Sequence, residues 1–132
     1  MDCSVALAWI LPDESSPRAD RFLAQTRPRE LWVPVLFWYE LANALTVANR
    51  RKRISEADLV QALDLMGQLP IATDAEMDAP GAGRLRSLAA AHKLSGYDAA
   101  YLDLALRKHA GMATLDTDLQ DAARAAGIDS IA

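Results

Sequence analysis

The stretch "PVLFWYELANAL", residues 34 to 45, is almost wholly apolar or aromatic, yet Glu40 stands in its middle. Helical spacing puts Leu36, Phe37, Leu41, Ala44 and Leu45 around it, on a face expected to be buried. Removing an ion from water is costly enough that charged side chains are almost never buried without a partner. No Lys or Arg is near Glu40 in sequence, and Asn43, one turn on, can donate a hydrogen bond without neutralising a charge. A carboxylate in such a place calls for a cation. Three further acids invite the same question: Asp2 close to the start, Asp98 in "LSGYDAAYLDLAL" and Asp116 directly after "GMATL".

The elements that must carry these residues are short and alternate in type. "ALAWIL" (6 to 11) and "SPRADRFLAQ" (16 to 25) read as helices, the first stopped by Pro12. "LWVPV" (31 to 35) reads as a strand leading into a long helix from about Leu36 to Arg50. Ser55 with Asp58 resembles a capping box opening a helix through "LVQALDLMGQL" (59 to 69). "PIAT" reads as a strand, "GRLRSLAAAHKL" and "GYDAAYLDLALRKHA" as helices, "GMATL" as a strand, "DLQDAARAAG" as a helix closed by Gly127, and "IDSIA" as a last strand. Helices separating short apolar strands imply an α/β fold, a short central parallel sheet flanked by helices. In such sheets the site lies beyond the carboxyl ends of the strands, where Asp2 and Asp116 are expected, with Glu40 about one turn into its helix and Asp98 in the first turn of another.

Three of the four acids also have plain structural explanations. "SGYD" is itself a capping box, so Asp98 suits a helix start without any chemistry. Asp116 can cap the last helix, with Asp118 as a first-turn partner of its dipole, and Asp2 can be an exposed terminal residue. Glu40 has no such explanation. The run Arg50, Arg51, Lys52, Arg53 suits either RNA phosphates or a solvated helix end, and His92 and His109 are expected at the surface. Trp9, Phe37, Trp38 and Tyr39 are expected to fill the core, with some available to an interface.

With 132 residues, the chain is expected to form one domain, residues 1 to 132. Its composition, 52% hydrophobic and 24% charged, is that of a folded globular protein. The single cysteine, Cys3, has no internal disulfide partner, which fits a reducing cytoplasm. No run approaches the length of a membrane span, and "VALAWIL" has no basic residues before it. A net charge of −4 argues against passive electrostatic binding of nucleic acid or an anionic membrane. It leaves a metal-assisted enzyme open, because a bound cation reverses the local sign.

"MDCSVALAW", "PVLFWYELANAL", "LSGYDAAYLDLAL" and "ATLDTDLQDAA" together resemble the four motifs of PIN-domain ribonucleases of the VapC toxin type. The matching features are an aspartate and serine at the start, a helical glutamate followed by Asn, the aspartate of the third motif, and Thr-x-Asp-x-x-Leu at Thr114, Asp116 and Leu119. The resemblance implies a three-layer PIN sandwich and a metal-dependent RNA-cleaving enzyme, the toxin half of a toxin-antitoxin pair. The implied acidic cluster is Asp2, Glu40, Asp98 and Asp116, with Ser4 and Thr114 as hydroxyl contacts and Asp118 as an outer ligand. Four acids without His or Cys suit Mg²⁺ or Mn²⁺ rather than zinc. Asp2 with Asp98 or Asp116 is expected to coordinate the ion, and Glu40 to hold or deprotonate its water. The implied partners are an RNA substrate, a cognate antitoxin and a second copy in a homodimer. Family members usually have several apolar residues before the first aspartate, whereas here only Met1 does. The reading frame is therefore expected to continue upstream; otherwise an α-amino group stands beside the acids. Two other readings remain: a PIN fold that binds RNA or protein without cutting, and a Mg²⁺-binding receiver domain. The latter would need an acidic pair after its first strand and a late Lys, which "IDSIA" does not supply.

Overall fold

The computed structural model describes residues 1–25 and 30–131. Its elements alternate as the apolar spacing implies: α1 (Cys3–Ile10), α2 (Pro17–Gln25), β1 (Leu31–Pro34), α3 (Leu36–Arg50), α4 (Glu56–Gln68), β2 (Ile71–Asp74), α5 (Ala79–His92), α6 (Gly96–Lys108), β3 (Met112–Ala113), α7 (Thr117–Ala125) and β4 (Ser130–Ile131). A 3₁₀ turn, Pro12–Glu14, follows α1.

Local chemistry sets most of the boundaries. α1 begins earlier than its apolar run because Asp2 caps it, the carboxylate accepting the Val5 N–H. α4 opens on the Ser55 and Asp58 box, and α5 starts at Asp78, whose side chain accepts the Gly81 N–H, rather than near Gly83. β1 stops at Pro34, since Val35 already has helical backbone angles and leads α3. α6 ends at Lys108 because His109 turns left-handed, φ 49°. Gly127, at φ 75°, lies in the turn after α7, where a side chain would be strained. The last two strands are only two residues each, shorter than "GMATL" and "IDSIA" suggested, and Ala132 lies outside the described residues.

The parallel pairing is split. β1 pairs with β2, Leu31 opposite Ile71, and β3 pairs with β4, Met112 opposite Ser130. Met1 and Asp2 stand between the two pairs: the α-amino group donates to the Trp32 carbonyl at 3.0 Å, and the Asp2 N–H to the Ala113 carbonyl at 2.9 Å. Beside them runs a groove of about 220 Å³ lined by Leu31, Trp32, Leu104, Met112 and Ala113 among others. Asp2 therefore ends no strand in this structure; it starts a helix.

The core lies between this split sheet and the helices. Phe37, Leu41 and Leu45 from α3 meet Leu11, Val33, Leu102, Met112 and Leu119, all buried. Trp9 stacks on Phe22 and its indole donates to the Ala19 carbonyl, while the Trp38 indole donates to the Thr73 hydroxyl. Tyr39 does not join the core; its side chain stands 71% exposed. At the carboxyl end of β2, Arg107 Nη2 meets Asp74 at 2.6 Å and its Nε meets Asp103 at 2.8 Å, with Arg84 on the other Asp103 oxygen at 3.1 Å. These ion pairs lash β2, α5 and α6 together.

Candidate active site

Asp2 is 6% exposed and satisfied on both oxygens. Ser4 Oγ donates to Oδ1 at 2.7 Å, and Thr114 Oγ1 donates to Oδ2 at 2.5 Å. The same hydroxyls accept backbone N–H groups, Leu115 onto Ser4 at 2.9 Å and Asp116 onto Thr114 at 3.0 Å. Two hydroxyls thus tie the start of α1 to the segment joining β3 to α7. Ser4 and Thr114, which the resemblance singled out as hydroxyl contacts, touch Asp2 directly.

Glu40 enters from α3, half-buried rather than fully buried. Its hydrogen-bond partner among the described side chains is not Asn43, which is exposed, but the Tyr101 hydroxyl on α6, which donates to Oε2. Burial pushes the Glu40 carboxyl above the usual carboxylate range, the Asp98 and Asp2 charges push it further, and the Tyr101 hydrogen bond opposes them. Burial likewise raises Asp2, against the hydrogen bonds from Ser4, Thr114 and the Val5 N–H and the charge of the Met1 α-amino group. That amino group is itself pulled down to about 6 by burial. Cys3, beside both acids, is pushed up to about 12 by burial and then by the Glu40, Asp2 and Glu14 charges.

Asp98 lies in the first turn of α6, where its carboxylate accepts the Ser95 hydroxyl at 2.6 Å and its N–H donates back to Ser95 Oγ at 3.0 Å. The capping box read from "SGYD" is therefore present, and it coexists with the electrostatic coupling to Glu40. Asp116 caps α7 through the Leu119 N–H at 2.9 Å and reaches Asp2 by way of Thr114. Asp118 is exposed in the first turn of α7. The charges of Asp98 and Asp2 thus act on Glu40, Asp116 is tied to Asp2 only through its main-chain N–H and the Thr114 hydroxyl, and Asp118 stands exposed on α7. Tyr101 was missed by reading the acids alone. Its spacing three residues after Asp98 on a helix, which places both on one face, was the available signal.

Among the described residues, no three His, Cys, Asp or Glu side chains already stand together as a metal-holding group. The donor set nonetheless fits a hard divalent ion. It is all oxygen, no side-chain cation among the described residues acts on Glu40 or Asp2, and Mg²⁺ characteristically takes one or two carboxylates and keeps several waters. Elsewhere, exposed Arg53 pairs with Asp13 and Glu14, both at 2.7 Å, and Arg50, Arg51 and Lys52 make up the rest of the exposed basic run. Among the described residues, no helix is long and apolar enough to cross a membrane.

Comparison with known proteins gives the family. The PIN domain family model matches residues 1–125. Ribonuclease VapC3 of Pyrobaculum aerophilum is 31% identical over 121 residues, covering 92% of this chain and 91% of the relative. The crystal structure of PAE2754, also from Pyrobaculum aerophilum, superposes with a TM-score of 0.69 at 21% identity, over 98% of this chain and 80% of the other, a likeness of fold. With helices flanking parallel strand pairs and the acids of all four motifs standing at helix starts or on α3, the chain belongs to the PIN-domain family, in its VapC type.

Proposed function

We propose that this protein is a divalent-metal-dependent endoribonuclease and the toxin of a toxin-antitoxin pair. The observation that carries the reading is Glu40, half-buried, with the charges of Asp98 and Asp2 acting on it and no side-chain cation doing so among the described residues. Such a group of carboxylates has a reason to exist where a cation binds. Family membership and the similarity to a ribonuclease point the same way.

Hydrolysis of a phosphodiester adds a water oxygen to phosphorus, breaks the bond to the leaving ribose oxygen and moves a proton from the first to the second. A bound Mg²⁺ or Mn²⁺ would neutralise charge on the phosphoryl oxygens and acidify a water. Asp2, held by Ser4 and Thr114, and Asp98, held by Ser95, would bind it, with Asp116 alongside and Asp118 as an outer contact. Glu40, whose affinity for a proton is raised, is suited to take the proton of the attacking water. Exposed Arg50, Arg51 and Lys52 offer contacts for RNA phosphates. A small antitoxin would silence the site by laying a segment across it, a basic side chain competing with the metal for the acids.

A homodimer is part of the same proposal. Val35, Tyr39, Met77 and Tyr97 are exposed and line a groove of about 270 Å³ at the starts of α3 and α6. A second copy seated there would border the site, because Tyr39 precedes Glu40 and Tyr97 precedes Asp98.

The test is cleavage of a labelled structured RNA by the purified chain. Cutting is expected with Mg²⁺, is lost in EDTA and is lost in Asp98→Asn; expression in a bacterial host slows growth for the wild type only. Equal cutting by wild type and Asp98→Asn, with or without EDTA, would overturn the proposal.

A further inference from the structure

We infer that Tyr101 is a positioning residue of this site, its hydroxyl fixing one oxygen of Glu40 so that the other is presented to the cation and its water. The inference rests on the nuclease reading above and adds to it a residue outside the four acids.

Three observations carry it. Tyr101 is 5% exposed, with its ring in the core formed by Phe37, Leu41 and Leu102. That packing holds the ring in place and would be served equally well by phenylalanine, so the hydroxyl needs a separate reason. The hydroxyl has one: it donates to Glu40 Oε2, across 61 residues of sequence and between two helices. Among the described residues, Glu40 Oε1 accepts no hydrogen bond, so one oxygen is tethered and the other is available.

The geometry explains why a tether is needed. Glu has two more rotatable bonds than its backbone fixes, and the half-buried carboxylate faces the repulsion of Asp98 and Asp2. Left alone, it would swing outward to water. A neutral donor anchored in the core holds it without supplying the positive charge that would displace a metal, as Arg or Lys would. The same residue also lines a groove with Leu104 and Met112.

Outer partners that orient a metal site typically cost about 10- to 100-fold in metal affinity or activity when removed. Tyr101→Phe is therefore expected to lose Mn²⁺ affinity by about that factor in titration calorimetry of the full chain, with no RNA present. In cleavage assays kcat is expected to fall by a similar factor while KM for RNA stays unchanged, since Tyr101 is too buried to touch substrate. The apo melting temperature is expected to stay close to wild type, because the ring remains. In the Glu40→Gln background, Tyr101→Phe is expected to change neither Mn²⁺ affinity nor residual cleavage further. If Tyr101→Phe keeps wild-type Mn²⁺ affinity and kcat while Glu40→Gln loses both, Tyr101 is a core residue only and the inference falls alone. If Glu40→Gln itself binds Mn²⁺ and cuts RNA like wild type, the nuclease site as assigned falls and the inference with it. Equal losses from Tyr101→Phe in the wild-type and Glu40→Gln backgrounds would also overturn it, because the effect would not pass through Glu40.

Discussion

At Glu40 the charged form is opposed first by burial and then by Asp98 and Asp2, while the Tyr101 hydroxyl pulls the other way. The native state therefore holds this proton more tightly than the unfolded chain, whose glutamates titrate near about 4.3. The resulting stability is complete below that value and is lost as pH rises through the higher folded pKa. Glutamine does not titrate, so the comparison isolates the group. In EDTA, wild type is expected to lose melting temperature relative to Glu40→Gln as pH rises between about 4 and 7. Melting curves that shift in parallel across that range would show that Glu40 titrates normally. If Mg²⁺ binds the assembled site as proposed, adding it should restore wild-type stability most at the upper end. The sequence made Glu40 conspicuous because a charge interrupts an apolar face. It did not reveal the donor, since the apposition of α3 and α6 is a tertiary fact and residues 40 and 101 share no local pattern.

At the scale of elements, helix starts were the most legible feature. Ser55 with Asp58 and Ser95 with Asp98 form the boxes their spacing announces, and Asp116 caps α7. Asp2 was harder to place, because the expectation of a strand ahead of it concealed a capping position. Quite invisible from sequence was the Asp74, Arg107, Asp103 and Arg84 network, whose members come from β2, α5 and α6. Both aspartates are buried, so removing Arg107 leaves Asp74 without its close cation and Asp103 with Arg84 alone. Arg107→Met is expected to cost roughly 3 kcal/mol in urea unfolding, by stranding buried charge rather than by losing contacts. A change under about 1 kcal/mol, the scale of a surface pair, would mean that water already screens these ions.

For the molecule as a whole, alternating helices and strands were enough to foresee a parallel α/β arrangement, but not its division into two strand pairs bridged by Met1 and Asp2. Strand order and the contacts between distant strands follow from packing that no local window contains. The exposed set of Val35, Tyr39, Met77 and Tyr97 was likewise hidden, because Tyr39 sits in a run whose other aromatics are buried or partly buried. If that face joins two copies, Tyr39→Arg together with Met77→Glu is expected to halve the mass seen by light scattering without lowering the melting temperature of the monomer. An unchanged mass would show that the face is solvent-facing, or that the copies meet elsewhere.

The acids at the helix starts have a structural task beside the one proposed for them. Asp2 and Asp116 close the first turns of α1 and α7, and Asp98 completes the box that opens α6. At position 116 asparagine caps about as well as aspartate, because the same carbonyl oxygen accepts the same N–H, and at position 98 its oxygen can still accept the Ser95 hydroxyl, whereas Asp2 accepts on both oxygens and would lose one acceptor. Aspartate and asparagine codons differ by one G-to-A transition. If the chain is the toxin proposed above, cells selected for growth while expressing it should carry asparagine at positions 98 and 116 before they carry frameshifts or deletions in the core.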